Sequence, residues 1–199
     1  MMYRIAAAIV RPIMYLFYRI RVIGKENAQQ KGAYILAANH LSNIDPILTH
    51  IMVKPKIYYM AKEELFRFKP LAWLITWLGA FPVARGKGDR AAIRAALTIL
   101  EEGKILAMFP EGHRNKTEAP FLPFQPGAVV IALRAKVPIL PMCICAKPRL
   151  FRKTTIVIGQ PMELSELLDE NLSHGENVKK ITKELECVMQ TLRERGLQA

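Results

Sequence analysis

The sequence predicts an α/β fold: a single domain with a largely parallel central sheet flanked by helices, preceded by an amphipathic N-terminal helix. Short apolar runs of strand length alternate along the chain with longer segments that carry helical spacing or helix-start and helix-stop residues. No internal repeat and no linker-like stretch divides the 199 residues, a length that suits one domain. We therefore expect an N-terminal amphipathic, membrane-associating segment over residues 1–24 and one α/β domain over residues 25–199.

In the first part of the chain, the clearest strand is a short, uninterrupted apolar run that ends at Ala38. Asp45 and Pro46 follow it as a helix-start signal, with Asp as the N-cap and Pro at the first helical position. Trp73 and Trp77 are four residues apart and therefore share one face of a predicted helix. The elements expected up to residue 84 are strands at 21–23, 34–38, 57–61 and 81–84, a helix from residue 46, and a helix within the aromatic segment 66–81.

The second part of the chain continues this alternation of strands and helices. Gly103 is a stop signal for a helix that begins near residue 89, and the proline-rich stretch at 110–124 predicts a long loop. The elements expected here are strands at 105–109, 137–146 and 154–158 and helices at 89–102, 127–135 and 176–195.

The N-terminal segment is mostly apolar over residues 5–18, but Arg11 and Pro12 interrupt it. An arginine at the centre of a bilayer costs about 2.5–3.5 kcal/mol and proline kinks a helix, so we do not expect a membrane-spanning helix. Arginines and tyrosines fall on one side of the predicted helix and apolar residues cover much of the rest, which is typical of a helix lying in the membrane interface. The alternative is a terminal helix docked on the protein's own core, and the aromatic segment 66–81 has the same two interpretations.

The formal net charge of +12 predicts an anionic partner, either a phospholipid surface or nucleic acid. The chain lacks a nucleic-acid-binding fingerprint, and its aromatic residues lie in apolar runs instead of alternating with lysines. We therefore expect an anionic membrane surface as the partner and no nucleic acid. The three cysteines form neither a disulfide framework nor a zinc-binding pattern, which favours a reducing cytoplasm and no metal site.

Charged residues follow three of the predicted strands, at the edge of the sheet where α/β proteins bind ligands. A turn between strand and helix would bring the imidazole of His40 to the carboxylate of Asp45, the pairing that a general base needs. The alternative is a structural histidine beside an ordinary N-cap. Arg85 and Arg114 have the forked donors that suit a phosphate, and Glu111 suits a ligand hydroxyl or one of these arginines.

Four ordered motifs resemble those of the glycerolipid acyltransferases, most strongly the bacterial 1-acylglycerol-3-phosphate (lysophosphatidic acid) acyltransferases. Together the motifs span roughly residues 30–160, and the third differs from the family's usual Thr and Ser at His113 and Asn115. The motifs are His-Leu-Ser-Asn-Ile-Asp at 40–45, Phe-Pro-Val-Ala-Arg at 81–85, Phe-Pro-Glu-Gly-His-Arg at 109–114 and Val-Pro-Ile-Leu-Pro at 137–141.

The resemblance implies transfer of a fatty acyl group from acyl-CoA or acyl carrier protein to the sn-2 hydroxyl of 1-acylglycerol-3-phosphate. The product would be phosphatidic acid in phospholipid biosynthesis. His40 would be the catalytic base and Asp45 would orient it, without a cofactor or a metal. The chain has no Gly-x-Ser-x-Gly elbow, so we expect direct transfer without an acyl-enzyme. The substrate-binding residues that the resemblance implies are Arg85, Glu111, Gly112 and Arg114.

The expected location is the cytoplasmic face of the cell membrane, with the protein bound as a peripheral or monotopic protein. Two alternatives stay open at this point. One is an acyltransferase that acts on another lysophospholipid or on a lyso-aminolipid. The other is a basic membrane-binding module without catalytic activity, which accounts for the charge and the N-terminus but not for the pairing of His40 with Asp45.

Overall fold

The structure is a computed structural model that describes residues 2–53, 56–83 and 90–199, with the backbone alone at residues 2–7 and 9. Its helices and strands follow the order predicted from the sequence. The helices are α1 Met2–Tyr18, α2 Asp45–Met52, α3 Lys69–Trp77, α4 Arg90–Glu101, α5 Gly127–Ala135, α6 Leu164–Leu167 and α7 His174–Leu197. The strands are β1 Ile20–Ile23, β2 Tyr34–Ala38, β3 Ile57–Lys62, β4 Ala80–Val83, β5 Ile105–Met108, β6 Ile139–Ile144 and β7 Thr154–Ile158.

Over the described residues the strands form one seven-stranded sheet in the order β1-β7-β6-β2-β5-β3-β4. All neighbours in this sheet run parallel except β6 and β7, which pair antiparallel. The predicted α/β fold with a largely parallel sheet is therefore confirmed. The strand β2 lies at the centre, between β5 and β6, so the residues that follow it have neighbours on both sides.

Alternate residues of each central strand pack against helices on opposite faces of the sheet. In β2, Tyr34, Leu36 and Ala38 join the core beneath α1 and α2, whereas Ile35 and Ala37 join the core beneath α4, α5 and α7. Both sets of side chains are at most 1% exposed. A strand that is buried on both faces reads as a continuous apolar run, which is why this strand was predicted with its observed bounds.

The helix α1 contacts the protein with part of its surface and leaves apolar side chains on the rest. Met14 is buried against α2, and the Tyr15 hydroxyl lies 4.0 Å from the sulfur of Met52. Ile13, Leu16 and Phe17 are between 38% and 72% exposed. The docked-helix interpretation therefore holds for one face, and interfacial binding of the other face stays a prediction. No helix in the described part of the chain has the length and apolar character required to cross a bilayer.

One local prediction needs correction. Asp45 is the first residue of α2 and Ile44 occupies the N-cap position, because the Asp45 side chain bonds to the turn that precedes the helix. The aromatic segment is less buried than a core helix would be, since α3 has no buried residue and Trp73 is 71% exposed. The short helix α6, with only four residues, was not predicted.

A buried polar cluster holds α2 against β3. The Tyr59 hydroxyl donates to the Pro46 carbonyl at 2.8 Å and lies 3.3 Å from Nδ1 of His50, whose ring stacks on that of Tyr59. His50 is 8% exposed, and burial together with the positive charge of Lys56 lowers its pKa to about 4. The folded protein therefore favours neutral His50 down to a lower pH than the unfolded chain does.

We expect this histidine to make stability depend on pH. The stability that neutral His50 contributes to the folded state is complete above about pH 6.5. It is lost as pH falls towards 4, because the unfolded chain then takes up a proton that the folded state resists. The free energy of unfolding should fall by up to about 3 kcal/mol from pH 7.5 to pH 4 through this group, measured by urea denaturation. His50→Gln should flatten this dependence, whereas His174→Gln, at an exposed position, should not. Equal pH dependence in His50→Gln and the wild type would contradict the assignment.

Candidate active site

The carboxyl ends of β2, β5 and β6 meet at one edge of the sheet. Ala37 pairs with Met108 of β5, and Ala38 pairs with Met142 of β6, so the loops after these strands start side by side. The loop after β2 carries His40, and the loop after β5 carries the third sequence motif. This is the edge at which an open α/β sheet binds ligands.

His40 and Asp45 form a direct hydrogen bond across the turn between β2 and α2. Nδ1 of His40 lies 2.9 Å from Oδ2 of Asp45, and Asp45 is fully buried while the His40 side chain is 15% exposed. The same carboxylate oxygen accepts backbone N–H groups of Leu41 and Ser42, both at 2.6 Å. Since an ionised carboxylate only accepts, the proton of a neutral His40 ring resides on Nδ1, and Nε2 is left unprotonated.

The loop after β5 fixes the backbone and the ring of His40. The His40 N–H donates to Oε1 of Glu111 at 2.7 Å, and the His40 carbonyl accepts the N–H of Asn115 at 2.7 Å. The ring of Phe109 stacks on the imidazole with 4.3 Å between centroids and 21° between planes. With Nδ1 held by Asp45, this histidine is restrained at its N–H, its carbonyl and its ring.

Glu111 is held inside the protein and does not line an open site in this structure. Its side chain is 1% exposed, and its second oxygen accepts the N–H of Leu122 at 2.8 Å. Burial raises the pKa of Glu111, and the two backbone donors oppose that effect. Direct contact between Glu111 and a substrate stays a prediction, and the contacts observed here favour a role in positioning His40.

Asn39 is a site residue that was not predicted from the sequence. It is 1% exposed, and its side chain both donates to the Ile144 carbonyl at 3.0 Å and accepts the Ile144 N–H at 2.7 Å. Asn39 thus ties the end of β2 to the end of β6. The available signal was a polar amide directly after an apolar strand and before the histidine, since a buried amide needs partners.

Phe109 and Asn115 were also missed as site residues. Phe109 begins the third motif and Asn115 follows its last residue, so their positions in the sequence already placed them beside the predicted site. The Asn115 side chain accepts the Thr117 N–H and donates to the Ala119 carbonyl, which stabilises the loop that contacts His40. Loop contacts of this kind are set by chain folding and carry no periodic signal.

Arg114 lies beside the turn that contains His40 and Asp45, because its guanidinium donates to the side-chain oxygen of Asn43. Gly112 has φ of +73°, a conformation that L residues avoid. This conformation explains the glycine better than a need for a ligand to approach the backbone closely, since an added Cβ would meet only the Gln125 side chain at 3.4 Å. His113 is exposed. Arg85 falls in residues 84–89, outside the described part of the chain, and its role stays a prediction.

The site has the groups for base catalysis on a substrate hydroxyl. Cys143 is buried, and a hydrogen bond shared with Cys145 together with burial raises the pKa of its thiol, which disfavours the nucleophilic thiolate. Within the described residues, no group of three or more potential metal ligands comes together. His40 therefore provides an unprotonated nitrogen, held in one tautomer by a buried carboxylate.

Several known proteins are similar to this chain in sequence or in fold. The profile of the family described as Acyltransferase matches residues 19–145. A 1-acyl-sn-glycerol-3-phosphate acyltransferase of Bacillus subtilis is 28% identical over 97% of this chain and 96% of its own length. The Streptococcus pneumoniae enzyme of the same name is 30% identical over 83% of this chain, which spans 62% of that protein.

Among solved structures, the 1-acyl-sn-glycerophosphate acyltransferase PlsC from Thermotoga maritima has the same fold. The two structures superpose with a TM-score of 0.72 and share 25% sequence identity. The alignment covers 99% of this chain and 83% of the other.

We expect Glu111→Gln to destabilise the protein. The amide has one acceptor oxygen in place of two, so one of the N–H groups of His40 and Leu122 would face an NH₂ donor in a buried place. The free energy of unfolding should fall by about 1–3 kcal/mol in a urea titration. Glu118→Gln, at an exposed position of the same loop, is the matched control and should lie within about 0.5 kcal/mol of the wild type. Equal stability of the two variants would contradict the positioning role.

Proposed function

The chain belongs to the acyltransferase family, and on that premise we propose that it acylates 1-acylglycerol-3-phosphate. The acyl group comes from acyl-CoA or acyl carrier protein and is received by the sn-2 hydroxyl. The product is phosphatidic acid, which serves phospholipid biosynthesis. The names of the relatives from B. subtilis and S. pneumoniae support this choice of acceptor.

The observation that carries the proposal is the 2.9 Å bond between His40 Nδ1 and Asp45 Oδ2 at the carboxyl edge of the sheet. It leaves Nε2 of a partly exposed imidazole to take a proton from a hydroxyl. The carboxylate of Asp45 stabilises the imidazolium that forms. Imidazole is the side chain that most often serves as a general base for a hydroxyl group.

In the proposed step, the acceptor hydroxyl oxygen attacks the thioester carbonyl carbon while its proton moves to Nε2 of His40. The tetrahedral intermediate then collapses, so that a C–O bond has formed and the C–S bond breaks. The sulfur departs as a thiolate, and the imidazolium returns the proton to it. A thiolate is a good leaving group, so this mechanism needs no further general acid.

Both substrates are proposed to be bound together, without an acyl-enzyme. Cys143 and Cys145 are buried, and Cys187 lies on α7 with no described contact to His40. A direct attack also suits His40, which serves first as the base and then as the proton donor.

We assign the glycerol phosphate to the loops that border His40. Arg114 supports this assignment because its guanidinium already contacts Asn43 in the turn between His40 and Asp45. Arg85 is a second proposed phosphate ligand on the basis of its sequence motif. Gly112 contributes the backbone conformation of the loop, and Glu111 holds that loop to His40.

The protein is proposed to work at the cytoplasmic face of the cell membrane, as a peripheral or monotopic protein. The net charge of +12 favours an anionic lipid surface. The exposed apolar side chains of α1 and α3 supply area that such a surface covers. The acceptor is itself a membrane amphiphile, so this location gives the site its substrate.

An acyl-transfer assay on purified protein tests the reaction and the base together. Acyl-CoA and acyl-carrier-protein donors are offered with a panel of lysophospholipids in vesicles. We expect product from lysophosphatidic acid with the wild type. His40→Ala should lower turnover by roughly 10²–10⁴-fold, since that is the usual contribution of a general base. Asp45→Asn should also be severely impaired, because it removes the charge that stabilises the imidazolium.

Thermal unfolding and vesicle binding of the His40→Ala variant check that the protein remains folded, and His174→Ala is the matched control at an exposed position. If product forms only with a different lysophospholipid, the proposed mechanism stands and the proposed acceptor is wrong. If no donor and acceptor pair gives product, and wild type and mutant bind vesicles equally, the result supports a membrane-binding module without catalytic activity.

Arg114→Ala should mainly weaken binding of the phosphate-bearing acceptor. Loss of a charge-assisted hydrogen bond of about 1.5–3 kcal/mol predicts that KM for the acceptor rises roughly 10- to 100-fold, with a smaller change in kcat. Lys116→Ala removes a nearby exposed cation and should leave the acceptor KM within about twofold. Steady-state kinetics with varied acceptor measure both, and an unchanged acceptor KM in Arg114→Ala would overturn the phosphate assignment.

A further inference from the structure

The loop between β6 and β7 presents an apolar tip that the core does not use. Leu150 is 56% exposed and Phe151 is 66% exposed, within the exposed residues 149–153 that lead into β7 at Thr154. A backbone hydrogen bond of 3.1 Å from the Arg152 N–H to the Arg149 carbonyl closes the turn around this tip. We call residues 146–153 the tip loop.

The tip loop is fastened to α1. The Phe151 N–H donates to the Phe17 carbonyl at 2.6 Å, and the two rings have centroids 5.5 Å apart. This bond satisfies a carbonyl near the end of α1 that has no partner within the helix. Phe17 belongs to the exposed apolar side of α1, together with Ile13 and Leu16. The tip loop and α1 therefore present one continuous apolar surface.

Phe151 adopts a backbone conformation that is costly for an aromatic residue. Its φ is +59°, and Arg19, directly after α1, also has a positive φ of 41°. Conformations of this kind persist where the surrounding structure enforces them, and they concentrate at functional sites. Here the strained conformation keeps a large apolar side chain exposed, although burial would favour folding.

Cations surround this apolar surface. Lys147, Arg149, Arg152 and Lys153 flank the tip, and the loop contains no acidic residue. Lys153 donates to the main-chain oxygen of Ala199 at 3.2 Å. Among the described residues, no carboxylate side chain forms a salt bridge with Lys147, Arg149 or Arg152. An apolar tip ringed by cations is complementary to a bilayer with anionic headgroups above an acyl interior.

The base of the tip loop is close to His40. The loop leaves the sheet after Ile144, whose backbone N–H and carbonyl are both held by Asn39, the residue before His40. The tip loop thus projects from the same edge of the sheet as the proposed active site. A surface bound there would hold the site at the level where lysolipid headgroups lie.

We propose that the tip loop is a membrane-docking element that binds anionic phospholipid bilayers together with the exposed side of α1. Leu150 and Phe151 enter the headgroup–acyl boundary, and the flanking arginines contact lipid phosphates. The proposal rests on the proposed work of this protein at a membrane, and it adds the part of the surface that makes the contact.

The test compares vesicle binding with transfer to a dissolved acceptor. The double variant Leu150→Asn, Phe151→Asn removes the apolar tip, and asparagine tolerates the positive φ at 151. Cosedimentation uses vesicles of equal parts phosphatidylglycerol and phosphatidylcholine. We expect on the order of tenfold weaker partitioning. Transfer to a short-chain lysophospholipid dissolved as monomers should remain within about twofold of the wild type.

Leu168→Asn is the matched control. Leu168 is 46% exposed. It lies shortly after Met162, which pairs with Ile139 at the start of β6, and therefore near the edge of the sheet opposite to the tip loop. This variant should bind vesicles like the wild type. A second variant, Arg149→Gln with Arg152→Gln, should weaken binding to anionic vesicles and leave binding to pure phosphatidylcholine unchanged.

Several outcomes would overturn the proposal. Wild-type vesicle binding by the tip variant would do so, as would equal losses in the tip variant and in Leu168→Asn. A tip variant that binds vesicles normally but loses affinity for a duplex oligonucleotide would assign the loop to nucleic acid. If vesicle binding depends on the tip but the protein shows no transfer activity, the docking element is supported and the proposed reaction is refuted. Failure of the docking proposal can therefore be told apart from failure of the proposed reaction.

Discussion

The buried carboxylate of Asp45 is the constraint on which the site depends. A charge without exposure to water is tolerated only with compensating donors, and Oδ2 of Asp45 receives three of them, from the His40 ring and from two backbone N–H groups. The chain must therefore reverse tightly between β2 and α2. This reversal sets the tautomer of His40, so the electrostatic requirement of one residue determines the chemistry of the other.

The parallel sheet supplies the rest of this arrangement. Because β2 is central, it has β5 on one side and β6 on the other, and the residues that directly follow β2 form bonds towards both sides. Glu111 holds the backbone of His40 from the β5 side, and Asn39 holds the backbone of Ile144 on the β6 side. Rigid elements buried on both faces thus position a side chain that is itself partly exposed.

The sequence predicted the order of strands and helices well because each signal is local: an apolar run, a proline at a helix start, a glycine at a helix end. It also predicted the pairing of His40 with Asp45, which are five residues apart. The individual contacts that restrain this turn were not predicted, because they join residues far apart in the sequence: Glu111 lies 71 residues from His40, and the bond from Asn39 to Ile144 spans 105 residues. The N-cap role of Asp45 was wrong because a propensity cannot show that the preceding turn uses the carboxylate.

The same edge of the sheet holds both the proposed chemistry and exposed apolar side chains, which is an unusual combination for a freely dissolved protein. Exposed apolar area lowers solubility, although single exposed apolar residues are common and need no explanation. Phe17 and Phe151 are not isolated, because their rings contact each other and a backbone hydrogen bond joins them. A lysophospholipid has its hydroxyl and phosphate at the bilayer surface and its chain below. An enzyme that docks by this edge meets those polar groups with its charged loops and leaves the acyl chain in lipid. Binding to the membrane and orientation of the acceptor then follow from one surface.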